Sequence, residues 1–120
     1  MDMIPSAYST LQDLITFNEC TNSGDRIFLY RSAEVFGVWV AYGLSAFILH
    51  RALSAKMLAR ECFSEEMQMP VVAVREPFLN GLSTEFDLSE PDDRRRIYHI
   101  CSPFDEVGKS YSAWARSLRG

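Results

Sequence analysis

Apolar residues fall along this chain in short blocks, and each block carries its own period. Between Ser6 and Phe17, Leu11, Leu14 and Ile15, with Asn18 just beyond, recur at helical spacing, and Pro5 and Ser6 can open the helix. Asn22-Ser23-Gly24-Asp25 then punctuates the chain. Arg26 to Arg31 reads as a strand, aromatic and β-branched between charged ends.

The stretch Val35 to Tyr42 supports two readings. Its Val, Phe, Trp and Tyr favour a strand. Ser32 as a cap, Glu34 in a first turn, and Val35, Trp39, Tyr42, Ala46, Leu49 and Leu53 on one face favour a helix. The balance tips to one long buried helix from here to about Cys62, with a strand followed by a helix from Leu44 as the alternative. Ala46 to Cys62 is the clearest helix by composition, rich in Ala, Leu, Met and Arg and free of Gly and Pro.

Val71 to Arg75 is a short apolar run, typical of a buried strand. Pro77, Asn80 and Gly81 predict a loop, Leu82 to Leu88 a half-buried strand, and Glu90 to Asp93 a turn. Arg95 to Cys101 alternates, with Ile97, His99 and Cys101 on one face and Tyr98 and Ile100 on the other. Phe104 to Leu118 is an amphipathic helix with Val107, Tyr111, Trp114, Ala115 and Leu118 inward.

This order predicts one α+β domain over residues 1–120. It is a three- to four-stranded, mostly antiparallel sheet with N-terminal, long central and C-terminal helices on one face. With 48% hydrophobic and 23% charged residues, the chain can bury one core and is not a disordered or fibrous sequence.

Charge changes the picture more than composition does. The net charge of −4 argues against nucleic acid as a partner, since phosphate binding needs a basic field. The charge is unevenly placed. Residues 61–93 hold nine acids and one base, Arg75, while residues 94–120 hold six bases and two acids. Clustered in space, the middle third would carry a strong negative field.

Candidate chemistry is sparse. Cys20, Cys62 and Cys101 are too widely spaced for a structural zinc site and read as reduced thiols of a cytoplasmic protein. His99 and Cys101 share a strand face without a nucleophile signature. His50 stands alone on its helix. Glu85 and Asp87, followed by Asp92, Asp93 and Arg94 to Arg96, are the residue types of a metal-dependent phosphodiesterase, but the lysine expected after the acids is missing. No phosphate-cradling glycine motif is present. The reading therefore assigns no catalytic residue, metal or cofactor.

Met1 to Pro5 has neither the basic nor the apolar part of a signal peptide. The uncharged run Val35 to Leu49 would reach about 22 Å as a helix, short of a ~30 Å hydrocarbon layer, so no membrane span is expected.

The expectation is a non-enzymatic protein-binding module. In its most concrete form it is an acidic inhibitor or immunity-type protein that masks the active site of a basic partner such as a nuclease toxin. Glu85, Phe86, Asp87, Glu90, Asp92 and Asp93 are its candidate contact residues, with Phe78, Tyr98 and Phe104 as nearby aromatics. The alternative is a small enzyme or ligand-binding domain with a cleft of His99, Cys101 and Arg94 to Arg96. A third is a subunit of an obligate complex, packing Val35 to Leu49 against another chain.

Overall fold

The computed structural model describes residues 10–53, 55–100 and 107–119. Strand β1 (Arg26–Arg31) sits near the middle of a six-stranded sheet and is buried on both sides. Ile27 and Leu29 face one layer, Phe28 and Tyr30 the other, which is why its apolar run is unbroken. Around it stand β2 (Val38–Tyr42), β3 (Leu58–Ser64), β4 (Met69–Arg75), β5 (Asp87–Asp92) and β6 (Arg95–His99). The order is β3-β4-β2-β1-β6-β5, every neighbouring pair antiparallel.

The topology is a hairpin followed by a helix, three times over. β1–β2 leads into α2 (Gly43–Ala52), β3–β4 into α3 (Glu76–Glu85), and β5–β6 precedes α4 (Val107–Arg119). The first hairpin is the centre, and the others dock on its two sides through β4 and β6. Ala46, Ile48 and Leu49 of α2 and Leu79 and Leu82 of α3 pack with Ile27, Leu29, Trp39, Val72, Val74 and Tyr98, and Trp114 of α4 closes against them. Each large side chain buried this way contributes about 1.5–3 kcal/mol.

Helix α1 (Leu11–Thr21) lies on the opposite face, not on one face with the other helices as expected, because Phe28 and Tyr30 of the doubly apolar β1 need cover there and receive it from Leu14 and Ile15. The hydroxyl of its cap, Thr10, accepts from the Asp13 amide at 3.0 Å. The helix runs on to Thr21, past the Phe17 end expected from periodicity. Ser6 to Ser9, where a start was expected, lie outside the described residues.

The fold class is the expected α+β, but the strand count is six rather than three to four. The long central helix does not exist. Val38 to Tyr42 is a strand, α2 has ten residues, and after a short turn at Ala55–Met57 the chain re-enters the sheet as β3. Propensity favoured helix through Cys62, but the unpaired edge of β4 offers backbone partners along its whole length, and that pairing overrides a weak local preference.

The loop expected at Pro77 to Gly81 is helix α3. Pro77 stands in its first turn, where a missing amide costs no hydrogen bond, and Leu79 and Leu82 bury one face. The strand expected from Leu82 begins only at Asp87, and Glu90 to Asp92 belong to it rather than to a turn. The expected final helix is present from Val107. Tyr111, Trp114, Ala115 and Leu118 are its less exposed side, as periodicity indicated. The stretch Val35 to Leu49 is no free helix, since Trp39, Ala41 and Ala46 to Leu49 are buried in the chain's own core.

Candidate functional site

Among the described residues, β5 is one of the two outer strands and pairs only with β6. Of the candidate contact residues, Asp87, Glu90 and Asp92 lie on it, Glu85 ends α3 just before it, and Asp93 starts the turn after it. The run thus becomes a line of carboxylates along a free sheet edge about 17 Å long. Glu85, Asp87, Glu90 and Asp93 are exposed, and none forms an ion pair among the described residues.

Asp92 is different. Its Oδ2 lies 2.9 Å from Arg95 Nε, and its Oδ1 accepts from the Arg94 amide at 2.8 Å, so it builds the turn. The Asp93 carbonyl accepts from Arg31 Nε at 2.9 Å, leaving its carboxylate outward. Phe86 is half-buried against the core edge. Of the other aromatics, Tyr98 is fully buried, with its hydroxyl 3.0 Å from Ser83 Oγ, and Phe78 is exposed. Phe104 lies outside the described residues.

The acids of the middle third do not form one patch. Glu61 on β3 and Glu65 and Glu66 in the β3–β4 turn stand at the opposite edge of the sheet, about 24 Å from β5 across five strand spacings. Glu61 there meets His50, with Nδ1 to Oε2 at 2.7 Å, while the His50 ring stacks on Trp114.

His99 accepts or donates one hydrogen bond, between Nε2 and Ser89 Oγ at 3.1 Å, with Asp87 as its direct cross-strand neighbour. Cys101 lies outside the described residues. Arg94 to Arg96 do not gather around His99. Arg95 is tied to Asp92 at the far end of β6, and Arg96 points to the other face.

Two polar clusters were not legible in the spacing. The first joins α1 to α2. Glu19 Oε1 accepts from the Ser45 amide at 2.9 Å and Oε2 from Ser45 Oγ at 2.6 Å. The carboxylate thereby caps α2, whose cap residue Tyr42 makes no such bond. Ser45 Oγ also accepts from the Phe28 amide and from Asn22 Nδ2. Burial pushes the Glu19 carboxyl up to about 7, against the hydrogen bonds from Ser45 that pull it down. A shallow cleft of about 480 Å³ opens beside it, lined by Cys20, Leu44, Met69 and Tyr111 among others. On the same face as α1, burial raises the Tyr30 hydroxyl well above its ordinary value, and Asn18 donates to it at 2.9 Å. Burial also raises the hydroxyls of Tyr42 and Tyr111.

The second cluster centres on Trp39. Guanidinium groups of Arg31 and Arg96 each stand 4.5 Å from its ring, and its Nε1 donates to Glu76 Oε1 at 3.0 Å. Glu76 also faces Arg31 at 3.8 Å and Arg96 at 3.5 Å. This network ties β1, β2, β6 and the start of α3 together, and it leaves Arg96 committed to the fold.

Among the described residues no three His, Cys, Asp or Glu side chains come together as a metal site, and no helix is long and apolar enough to cross a membrane. Comparison of the chain with family models, with curated proteins and with solved structures finds no match, so the functional reading rests on geometry and charge.

Proposed function

We propose that this chain is a non-enzymatic protein-binding module, an inhibitor or immunity-type protein that docks its β5 edge on a basic partner and masks that partner's active site. The observation that supports this reading is the line of exposed, ion-unpaired carboxylates along a free edge. Acids held at strand spacing present fixed negative charge to a positive groove, which raises the encounter rate and selects partners of opposite sign. Pro91 has no amide hydrogen, and charged side chains flank it, so the edge resists addition of another strand. Docking then runs through side chains rather than backbone pairing. A nuclease toxin is the natural target class, because its substrate groove is positive and the carboxylates can occupy phosphate positions. The module acts in the cytoplasm, where Cys20 and Cys62 remain thiols.

The test is capture from lysate by the wild-type chain and by a double variant, Asp87→Lys with Glu90→Lys, at low and high salt. A basic enzyme retained by the wild type, inhibited by it, released by salt and bound severalfold more weakly by the variant is the expected result. Equal binding by both proteins, or a captured enzyme that stays fully active, would overturn the reading.

A further inference from the structure

A second surface lies around the β1–β2 loop and the neighbouring face of β2 and β4. Among the described residues, Leu11, Val35 and Phe36 are three of the six large hydrophobics left exposed, and Phe36 is 97% exposed. Contiguous exposed apolar surface marks interaction sites in soluble proteins. Phe36 is carried by the β1–β2 loop, and that loop is held firmly. The Ser32 amide donates to the Val38 carbonyl at 2.9 Å, and Ser32 Oγ accepts from the amides of Glu34 and Val35 at 3.2 and 3.1 Å. Gly37 takes φ +77°, and its carbonyl accepts from the Glu76 amide at 2.8 Å. The backbone that carries the ring is therefore set in advance, and little loop freedom is lost when it binds.

The same loop walls a groove of about 290 Å³. Val40, Val71 and Ala73 make its apolar floor, Leu11 and Arg60 line it further, and Ser32 to Glu34 complete the rim. An apolar cavity of about 150 Å³ takes a benzene ring, so a phenylalanine side chain fits this one with space for its backbone. The loop that carries Phe36 also supplies Ser32 to Glu34 to the groove, so knob and groove adjoin, and a two-fold interface needs each copy to offer both halves of the contact. The charges agree. Glu34 lies in the knob loop two residues before Phe36 and Arg60 lies on β3, both line the groove and are exposed, and neither has an ion pair among the described residues.

We propose that this surface binds a second copy of the chain. Phe36 of each copy enters the groove of the other, and Glu34 of each pairs with Arg60 across the two-fold axis. With one ring and one ion pair from each copy as anchors, dissociation is expected on the order of micromolar. The β5 edges remain free, giving the dimer two acidic docking edges.

Sedimentation equilibrium of the full chain from about 1 to about 500 μM, which brackets that range, tests this. The expected mass rises from 13.7 kDa towards twice that value. Phe36→Ser weakens the dimer at least about tenfold. Glu34→Arg and Arg60→Glu each weaken it severalfold, and the two combined restore it. All three side chains are exposed, so the variants are expected to stay folded, and circular dichroism checks this. A mass fixed at 13.7 kDa throughout overturns the proposal. So does a dimer indifferent to Phe36→Ser, a charge swap that restores nothing, or Phe36-dependent binding of an unrelated protein while the chain alone stays monomeric.

Discussion

Glu19 and Gly43 show how much of this structure turns on two residues. Gly43 takes φ +57°, and a Cβ there would lie 3.2 Å from both Glu19 Cγ and Met69 Sδ. Gly43→Ala combines left-handed strain with a forced shift of the capping carboxylate. It should cost about 1–3 kcal/mol in urea unfolding. Ser45 is fully buried and bonds to α1, β1 and the Asn22 turn together. Ser45→Ala strands the Phe28 amide and one Glu19 oxygen, and a loss of about 2–4 kcal/mol is expected from the same measurement. Glu19 also sets a pH dependence. Its folded carboxyl is raised from 4.5 to about 7, so between these values the folded state holds a proton that the unfolded chain releases. That contribution is complete below pH about 4.5 and is lost as pH rises through about 7, a span of up to about 3 kcal/mol. Thermal melts of wild type minus Glu19→Gln, taken from pH 4 to pH 8, should show this falling difference; a flat difference would refute it. Nothing in the sequence marks Glu19 as special, since its partner Ser45 stands 26 residues away.

The elements differ in how plainly they could be read. β1 has the bounds its period and composition predict, while β4 begins two residues before the expected Val71, with Pro70 inside it, β6 ends at His99 rather than Cys101, and α4 is present from Val107. α3 and β3 are not the elements expected. Pro77, Asn80 and Gly81 are turn formers, yet the burial of Leu79 and Leu82 holds them in a helix. Gly81 is then a helix-interior glycine, and a Cβ there would meet nothing within 4 Å. Gly81→Ala should therefore stabilise the protein by about 0.5–1 kcal/mol, read as a higher urea midpoint at unchanged slope. A destabilised variant would mean that this segment is not helical in solution. β3 reads as helix because Leu58, Ala59 and Arg60 are good helix formers. Its strand conformation comes from the β4 edge, which no local pattern reveals.

At the level of the assembled domain, the uneven charge of the chain is divided by the sheet. One acidic run reaches β5, Glu61, Glu65 and Glu66 reach the β3 side, Glu76 joins the Trp39 network, and Arg94 to Arg96 fold back on the first run as part of a hairpin. The two proposed surfaces use different contact residues and adjoin where Arg31, which lines the groove, donates to the Asp93 carbonyl, so their independence is tested at Asp87, at the other end of β5, and at Phe36. Asp87→Lys is expected to weaken capture of the basic partner and leave the mass unchanged, while Phe36→Ser lowers the mass and leaves per-chain capture unchanged. Coupling between the two in sedimentation and binding assays would contradict separate surfaces. What the sequence determined by itself is local: the class of fold, the buried strands with unbroken apolar runs, the amphipathic last helix and the acidic run at Glu85 to Asp93. Burial and charge act on neighbours a few residues apart, and those patterns are written along the chain. What only the tertiary structure decided is everything that joins distant residues. The number of strands, the end of α2, the Glu19 cap, the Trp39 network and the exposed Phe36 beside its groove all follow from which strand edges meet. Backbone hydrogen bonding supplies the same donors and acceptors at nearly every residue and so leaves no signature in side-chain order.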